Sequence, residues 1–490
     1  MAILDVKQSG GTYSTLNAAL AVADPSDTIS IEGSWTIDDT TAASIADDNL
    51  TIETDASSKH PGYWDEATSQ HYRLVVSGSH ALTLSGAYTL TIDGVAIEQS
   101  GTGTSDECFR CVPGSSDTVT IQNCILQCST NTNQQDCIYT GYNTSIGVVD
   151  IEQCIIYGAA RAGLNIQNFY TSTNSGTINI NSCTIWNCGL DGSLGAGAHV
   201  GGGILYGVTT GGDGSSFTIN VHNTTAVEND TGGNYSVEYP EDYREYVSDG
   251  IGVGAWNVSY SIDSDNTISA NTDGGTGNLA SRTATDNTSP GGGDWVIFED
   301  ISSAPYDLRI VDNAEDDAQD AHTTATAHGL TIPSTDIVGT SRPQNTNYDI
   351  GAFEIEVAGD LSVSESDSVN ATDTPSLAPI VIPNLVESES VTVTDSPAMY
   401  LGLALAESDS VTVTDAPAFT ALLLNVTELD AVTVADSPSV SGLELLTLSI
   451  SESDGVTVGD TATTKGGDMG IPVTVDNPDY QYSGVRVVDG

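Results

Sequence analysis

Apolar and polar residues alternate through 119-VTIQNCIL-126, 149-VDIEQCII-156 and 178-ININSCTIW-186. Aligned, these segments put Cys124, Cys154 and Cys183 in one column, 30 and 29 residues apart. The column runs back to Val95 in 90-LTIDGVAI-97 and, past a longer insertion, forward to Thr224 in 219-INVHNTTAV-227. Period-two alternation predicts strands, and the Gly, Asn, Ser and Thr clusters between them predict turns. A strand that returns at a fixed period predicts a solenoid of parallel strands stacked about 4.8 Å apart, one face turned to a shared interior. The aligned cysteines then read as small fillers of an interior column. Cys108/Cys111 is a solitary CxxC with no second pair at zinc-like spacing.

Upstream, 13-YSTLNAALAVADP-25 predicts a short amphipathic helix. Leu16, Leu20 and Ala23 share a face, Ser14 is placed to cap the start, and Asp24-Pro25 ends it. Such a helix would cover the unpaired first edge of a solenoid. Short strands follow in 27-DTISIEG-33 and 49-NLTIET-54.

From about residue 358 the pattern changes. Glu365, Glu387, Glu407, Glu428 and Glu452 open five units spaced 22, 20, 21 and 24 residues apart. A second acid stands two residues on (Asp367, Glu389, Asp409, Asp430, Asp454) and an aspartate eight on (Asp373, Asp395, Asp415, Asp436, Asp460). Pro375, Pro397, Pro417 and Pro438 follow, with Ala462 in the last unit. Each unit reads as a VTVTD-type strand, a turn at Asp-x-Pro, and a second apolar run such as 401-LGLAL-405. A unit this small must stack on its neighbours or on copies in other chains, so a repetitive, oligomeric β-stalk is expected, with a trimer as the favoured assembly. The carboxylates are either a solvated face that blocks edge-to-edge aggregation or a set of Ca²⁺ bridges between strands. In the second case the ligands are Glu387, Glu389, Asp395, Glu407, Asp409 and Asp415, and Ca²⁺ is the one candidate cofactor. Neither an EF-hand loop nor a glycine-aspartate nonapeptide is present. The expected domains are 1–357 (solenoid with its capping helix), 358–464 (acidic repeats) and 465–490 (a C-terminal cap or attachment segment).

Charge narrows the partners. Lys and Arg total 11 against 67 Asp and Glu, a formal net charge of −56. That balance repels the phosphate backbone, which excludes nucleic acid as a partner, and it disfavours anionic membrane surfaces. No apolar run approaches the roughly 20 residues of a membrane span, and MAILDVKQSGGTYSTL lacks the basic start and apolar run of a signal peptide.

Candidate chemistry is sparse. The stretch 235-YSVEYPEDYREYVSDGIGVGAW-256 sets Tyr235, Tyr239, Tyr243, Tyr246 and Trp256 among Glu238 and Glu241, a composition suited to stacking on sugar rings and accepting bonds from their hydroxyls. Packing against the solenoid flank is the competing reading. Arg161 and Arg244 are the main candidates for the base a lyase needs. The doublets Asp38-Asp39, Asp47-Asp48 and Asp316-Asp317 are carboxylates of the kind a glycosidase needs, though in no recognisable motif. The seven histidines (His60, His71, His80, His199, His222, His322 and His328) are scattered and read as ordinary surface or turn residues. No catalytic residue is assigned, since GxSxG, P-loop and HExxH motifs are all missing.

The opening helix with DTISIEG, the rungs of about 29 residues, and the closing 306-YDLRIVDNAEDDAQDA-321 and 336-DIVGTSRPQNTNYDIGAFE-354 together resemble right-handed parallel β-helix proteins of the pectate-lyase-like kind. The resemblance covers roughly residues 1–357 and implies the fold. It leaves the chemistry open, because lyases, hydrolases, adhesins and viral spikes share that fold. With the stalk included, the chain is similar in style to a bacteriophage virion component, either a head fibre or capsid decoration protein or a tail fibre. What that similarity implies is a homotrimer on the virion surface, attached to other virion proteins through its C-terminal segment and binding host-surface polysaccharide. The alternatives are a tailspike polysaccharide depolymerase and an extracellular adhesin or filament subunit.

Overall fold

The computed structural model describes residues 2–64, 71–86, 88–103, 106–129, 135–140, 145–168, 174–189, 202–208, 216–229, 242–247, 254–263, 278–279, 282–286, 295–302, 306–312, 316–321, 323–344 and 347–355. Beyond these it describes the strand backbones 369–372, 380–385, 391–395, 400–415, 421–436, 445–453, 456–460 and 473–475. The chain divides into two compact units, Met1–Ile355 and Glu356–Gly490. Both are built mainly from parallel strands, with antiparallel pairs in the closing segment of the first, and the one helix among the described residues is Leu16–Leu20.

The first unit is a parallel β-helix with three sheets. Sheet A stacks Ile3–Val6, Thr28–Ile31, Leu50–Thr54, Leu90–Asp93, Thr118–Gln122, Val148–Glu152, Ser175–Asn181, Ser216–His222 and Gly254–Ser259 in that order. Sheet B stacks Arg73–Val76, Ala96–Gln99, Ile125–Cys128, Ile155–Tyr157, Thr184–Trp186, Thr225–Val227 and Ile262–Asp263. Sheet C stacks Ala43–Ile45, Leu82–Gly86, Phe109–Pro113, Asp136–Thr140, Ala162–Asn168, Gly202–Val208 and Tyr243–Val247. From Leu50 onward each coil contributes one strand to each sheet in turn, so inward positions stack along the axis. In sheet A the register aligns Ile29, Ile52, Ile92, Ile121, Ile151, Ile180, Val221 and Val258 in one column. All eight are buried. β-Branched side chains are stiff and pack well on a pleated surface, which is why this column accepts them.

The corner from sheet A to sheet B turns on a single left-handed residue per coil: Gly94, Asn123, Gln153, Ser182, Asn223 and Tyr260, with φ from 48 to 73°. The residue after it fills the column seen in the sequence, and it does more than occupy space. Cys124, Cys154 and Cys183 donate their thiols to the carbonyls of Gln122 (3.1 Å), Glu152 (3.3 Å) and Asn181 (3.3 Å). Thr224 and Ser261 donate their hydroxyls to His222 and Ser259 in the same way, at 3.1 and 3.0 Å. Cys183, Thr224 and Ser261 also accept an N–H from the coil before: Cys154 N to Cys183 Sγ, Cys183 N to Thr224 Oγ1, and Thr224 N to Ser261 Oγ. From Cys124 onward the column is filled by a small S–H or O–H donor, Cys, Thr or Ser, whereas Val95 one coil earlier fills it by packing alone.

The helix covers the start of the interior with Leu16, Ala19 and Leu20 buried. Its cap is Thr15, whose hydroxyl accepts the Ala18 N–H, and not Ser14. Asp39, half of a candidate doublet, accepts the Leu16 N–H (2.8 Å) and the Tyr72 hydroxyl (3.1 Å), so its role at this end is structural. Its neighbour Asp38 pairs with Arg73 at 2.7 Å, and Asp48 of the second doublet accepts the N–H groups of Asn49 and Thr89.

The three outer faces differ. Sheet A carries an amide ladder, in which Asn257 donates to Asn220, Asn220 to Asn179 and Asn179 to Asp150, at 2.8, 2.8 and 2.7 Å. The ladder ends on a carboxylate because an ionised carboxylate only accepts. Sheet B is covered. The segment 295–355 lays Val296, Phe298, Leu308, Ile337, Ile350 and Phe353 over Ile125, Ile155, Trp186 and Val227. It is pinned by Gly351 N to Asn223 O and Ala352 N to Thr184 Oγ1. In this closing segment Asp336 accepts the N–H groups of Val338, Thr340 and Glu354, while Asp349 accepts those of Asp320 and Ile355. The phrase 336–354 is thus a loop that satisfies its own backbone with buried carboxylates.

In the second unit the register is also parallel and in step with the repeat. Leu401 pairs with Leu422 and Leu422 with Leu446, and Val391 pairs with Val411 and Val411 with Val432. The expected short strands are merged. Tyr400–Asp415 and Ala421–Asp436 are each 16 residues, joining the apolar run of one repeat to the VTVTD of the next. Nothing in 407-ESDS-410 breaks a strand, whereas Pro417 does. A straight strand of that length would run about 53 Å, and a five-residue link reaches about 18 Å. Pairing of Tyr400–Asp415 with Ala421–Asp436 at an offset of 21 therefore requires this repeat to bend back to its start.

Candidate functional site

Sheet C is the outer face with charged chemistry. Alternation in 109-FRCV, 138-IYT, 164-LNIQ and 204-ILYG turns Phe109, Ile138, Leu164 and Ile204 inward and leaves the intervening positions outside. The register aligns one outer row as Arg110, Tyr139, Asn165, Leu205 and Arg244, and the next holds Gln167, Gly207 and Tyr246.

At the head of these strands two ion pairs sit on successive coils. The Arg161 guanidinium forks onto Asp136, with Nε at 2.9 Å from Oδ1 and Nη2 on Oδ2. Asp136 also accepts Asn165 Nδ2 (2.8 Å) and the Ala162 N–H (3.1 Å). Burial pushes the Asp136 carboxyl above its ordinary range and the adjacent Arg161 opposes this. One coil earlier, Glu107 pairs with His80 Nδ1, and Arg110 Nη1 approaches His80 Nε2 at 3.3 Å. A guanidinium only donates, so Nε2 accepts from Arg110, while Nδ1 faces both the Glu107 carboxylate and the Glu107 N–H, which donates to it at 3.3 Å. Burial raises the Glu107 carboxyl, with His80 opposing.

The remaining groups are aimed differently. Tyr139 donates to Gln167 Oε1 at 3.0 Å, and the Arg110 guanidinium lies 5.3 Å over the Tyr139 ring. Asn165 and Gln167 are 0 and 2 % exposed, yet Asn165 Oδ1 and Gln167 Nε2 have no hydrogen-bond partner among the described residues. A buried amide group left unbonded costs about 1–3 kcal/mol, so an acceptor and a donor lack partners beside an aromatic ring, and at this burial a ligand meets them only when the cover over sheet C opens. The arrangement suits hydroxyl recognition better than proton abstraction. Arg161 is committed to Asp136, and burial raises the Tyr139 hydroxyl.

Of the aromatic stretch chosen from sequence, Tyr235, Glu238, Tyr239 and Glu241 lie outside the described residues. Tyr243 and Tyr246 lie on the last strand of sheet C, whose backbone alone is described, with Tyr246 in the row of Gln167. Trp256 is corrected: it pairs with Ile219 at an inward position of sheet A and is 3 % exposed in the core, so its ring is closed to a sugar. His60 is likewise no surface residue; its Nε2 contacts Asn123 O at 2.7 Å, and burial pushes it down to about 3. Of the stalk acids, Glu387 and Glu389 lie outside the described residues, and Asp395, Glu407, Asp409 and Asp415 lie on strands described by backbone. The register sets Asp395 beside Asp415, and Glu407 beside Glu428 and then Glu452. Sequence reasoning missed Glu107, Asp136, Tyr139, Asn165 and Gln167.

No family model and no curated protein matches this chain. Among solved structures, the pectate lyase Pel9A is 11 % identical with a TM-score of 0.37, covering 72 % of this chain and 96 % of that one. A mutant of the PL6-family alginate lyase AlyGC is 13 % identical with a TM-score of 0.19, covering 97 % of this chain and 88 % of its own. Superpositions this loose carry no argument, and the β-helix assignment stands on the strand order itself.

Proposed function

We propose that this protein is a surface-display component of a virus particle, a head fibre, capsid decoration protein or tail fibre, whose sheet C face binds a host-surface polysaccharide. The observation that carries the binding reading is the pair of buried, unbonded amide atoms, Asn165 Oδ1 and Gln167 Nε2, beside Tyr139. Such groups recognise sugar hydroxyls strongly because they are left unpaired when those hydroxyls are missing. The display reading draws on the acidic repeats of 358–464, which stack in register and suit a rigid support, and on 465–490 as the attachment segment. Assembly as a homotrimer belongs to the same proposal. Two measurements test it: protein mass spectrometry of purified virus particles, and retention of the purified chain on immobilised bacterial surface polysaccharides. The chain missing from particles, or retained on none of the polysaccharides, would sink it.

A depolymerase is the second reading, favoured by the Glu107–His80 pair, where burial holds a carboxyl above its ordinary range beside an imidazole. New reducing ends released from a bound polysaccharide, and lost in Glu107→Gln, would favour this reading over simple attachment.

A further inference from the structure

Behind the charged face, the interior corner between sheets B and C holds three thiols. Cys128 ends its sheet B strand, Cys137 lies on the sheet C strand that follows, and Cys108 stands one coil earlier. Cys108 Sγ is 3.7 Å from Cys128 Sγ, which is 3.9 Å from Cys137 Sγ. All three sulfurs lie within 4.8 Å of one another, and all three residues are fully or nearly fully buried. The geometry points to a buried site for one thiophilic d¹⁰ metal ion, of the Cu(I) and Zn(II) class, held by the sulfurs of Cys108, Cys128 and Cys137.

The spacing is the first argument. With a metal–sulfur bond of about 2.3 Å, a trigonal site needs sulfurs about 4.0 Å apart and a tetrahedral one about 3.8 Å. Two edges of the trio meet either requirement within about 0.3 Å, and the third, no longer than 4.8 Å, meets it with a shift of at most about 1 Å.

The donor set is the second argument. Sulfur alone selects soft ions and rejects Ca²⁺ and Mg²⁺. Cys188, whose thiol interacts with Cys137, is the one further sulfur positioned to join.

The third argument is contrast within the chain. Cys124, Cys154 and Cys183 form a ladder along the axis and donate to carbonyls two residues back. The trio, in which Cys108 and Cys137 also reach carbonyls (Cys108 Sγ to Gln127 O at 3.0 Å), differs in gathering sulfurs from two coils at a corner, where the same column holds Ala81 before it and Gly163 after it. Sequence spacings of 20 and 9 residues hide the cluster, since only the coil closes it.

Binding converts thiols to thiolates and expels their protons, so loading accompanies folding and weakens in acid. Cys108 and Cys137 adjoin Glu107 and Asp136, so a bound ion would also stiffen the strand heads that carry the outer ion pairs.

The test is metal content. The full chain is expressed with added zinc or copper, washed with chelator and analysed by plasma mass spectrometry, alongside Cys128→Ser, Cys137→Ser and the controls Cys154→Ser and Cys183→Ser. About one equivalent is expected in the wild type and both controls, falling about tenfold or more in the two cluster variants. Refolding the wild type with Cd²⁺ gives a second readout that needs no variant, a sulfur-to-cadmium charge-transfer band. Metal-free wild type with no such band overturns the site and leaves three thiols in van der Waals contact; so does metal retained equally by the cluster variants.

Discussion

Arg161 and Asp136 meet as a fork on the outer face of sheet C, with Nε 2.9 Å from Oδ1 and the second nitrogen on Oδ2, and both side chains are buried. Removing one partner strands the other as an uncompensated buried charge, which costs about 3–5 kcal/mol. Arg161→Met and Asp136→Leu are each expected to destabilise the β-helix by that amount in urea unfolding. The double variant should cost less than the two singles summed.

The closing segment makes stability pH-dependent. Burial pushes Asp316 up to about 8, Glu354 to about 7 and Asp349 to about 6. In the unfolded chain such groups titrate near pH 4, so between about pH 4 and 8 the folded state holds more protons. Their contribution is fully present below about pH 4 and is lost as pH rises through the folded values. Tm of the first unit is expected to fall across that window, and Asp316→Asn should flatten the upper part of the fall.

In the thiol column, size and, from Cys124 onward, donation to a carbonyl decide what fits. Cys154→Thr keeps a donor of the kind seen at Thr224 and should stay within about 1 kcal/mol of wild type. Cys154→Leu overpacks the corner and removes the donor, with an expected loss of about 1–3 kcal/mol or more. Chemical denaturation of the two variants checks the order.

In the second unit, Glu407, Glu428 and Glu452 are register neighbours, as are Asp395 and Asp415. Like charges directly opposite are destabilising, and salt screens them. The melting temperature of this unit should therefore rise with NaCl. If Ca²⁺ bridges the rows, millimolar Ca²⁺ should raise it further at matched ionic strength, and chelator should reverse the gain. An equal response to Mg²⁺ and Na⁺ at matched ionic strength would leave screening alone.

The rung period was legible because sheet A and its corner repeat with little variation, so Ile121, Ile151 and Ile180 and the cysteines after them fall into line. Sheet C was not, because loops of unequal length precede its strands. Arg110, Tyr139, Asn165 and Leu205 lie 29, 26 and 40 residues apart in sequence yet occupy one row. Trp256 was misplaced because its aromatic neighbours drew it into a surface reading, whereas strand parity sets it beside Ile219 in the core. The sequence pattern puts the VTVTD segment and the apolar run on separate strands, whereas in Tyr400–Asp415 and Ala421–Asp436 the apolar run continues through the acidic pair into the next VTVTD-type segment without a break.

The most direct test of the binding face is Gln167→Leu, compared with wild type on bacterial surface polysaccharides by retention and calorimetry. The substitution removes the unbonded Nε2 and also the Oε1 that accepts the Tyr139 hydroxyl, so a stability loss of about 1–3 kcal/mol is expected alongside polysaccharide binding weakened about tenfold or more. Undiminished binding by this variant, folded and stable, would contradict the assignment of sheet C as the face that holds the ligand.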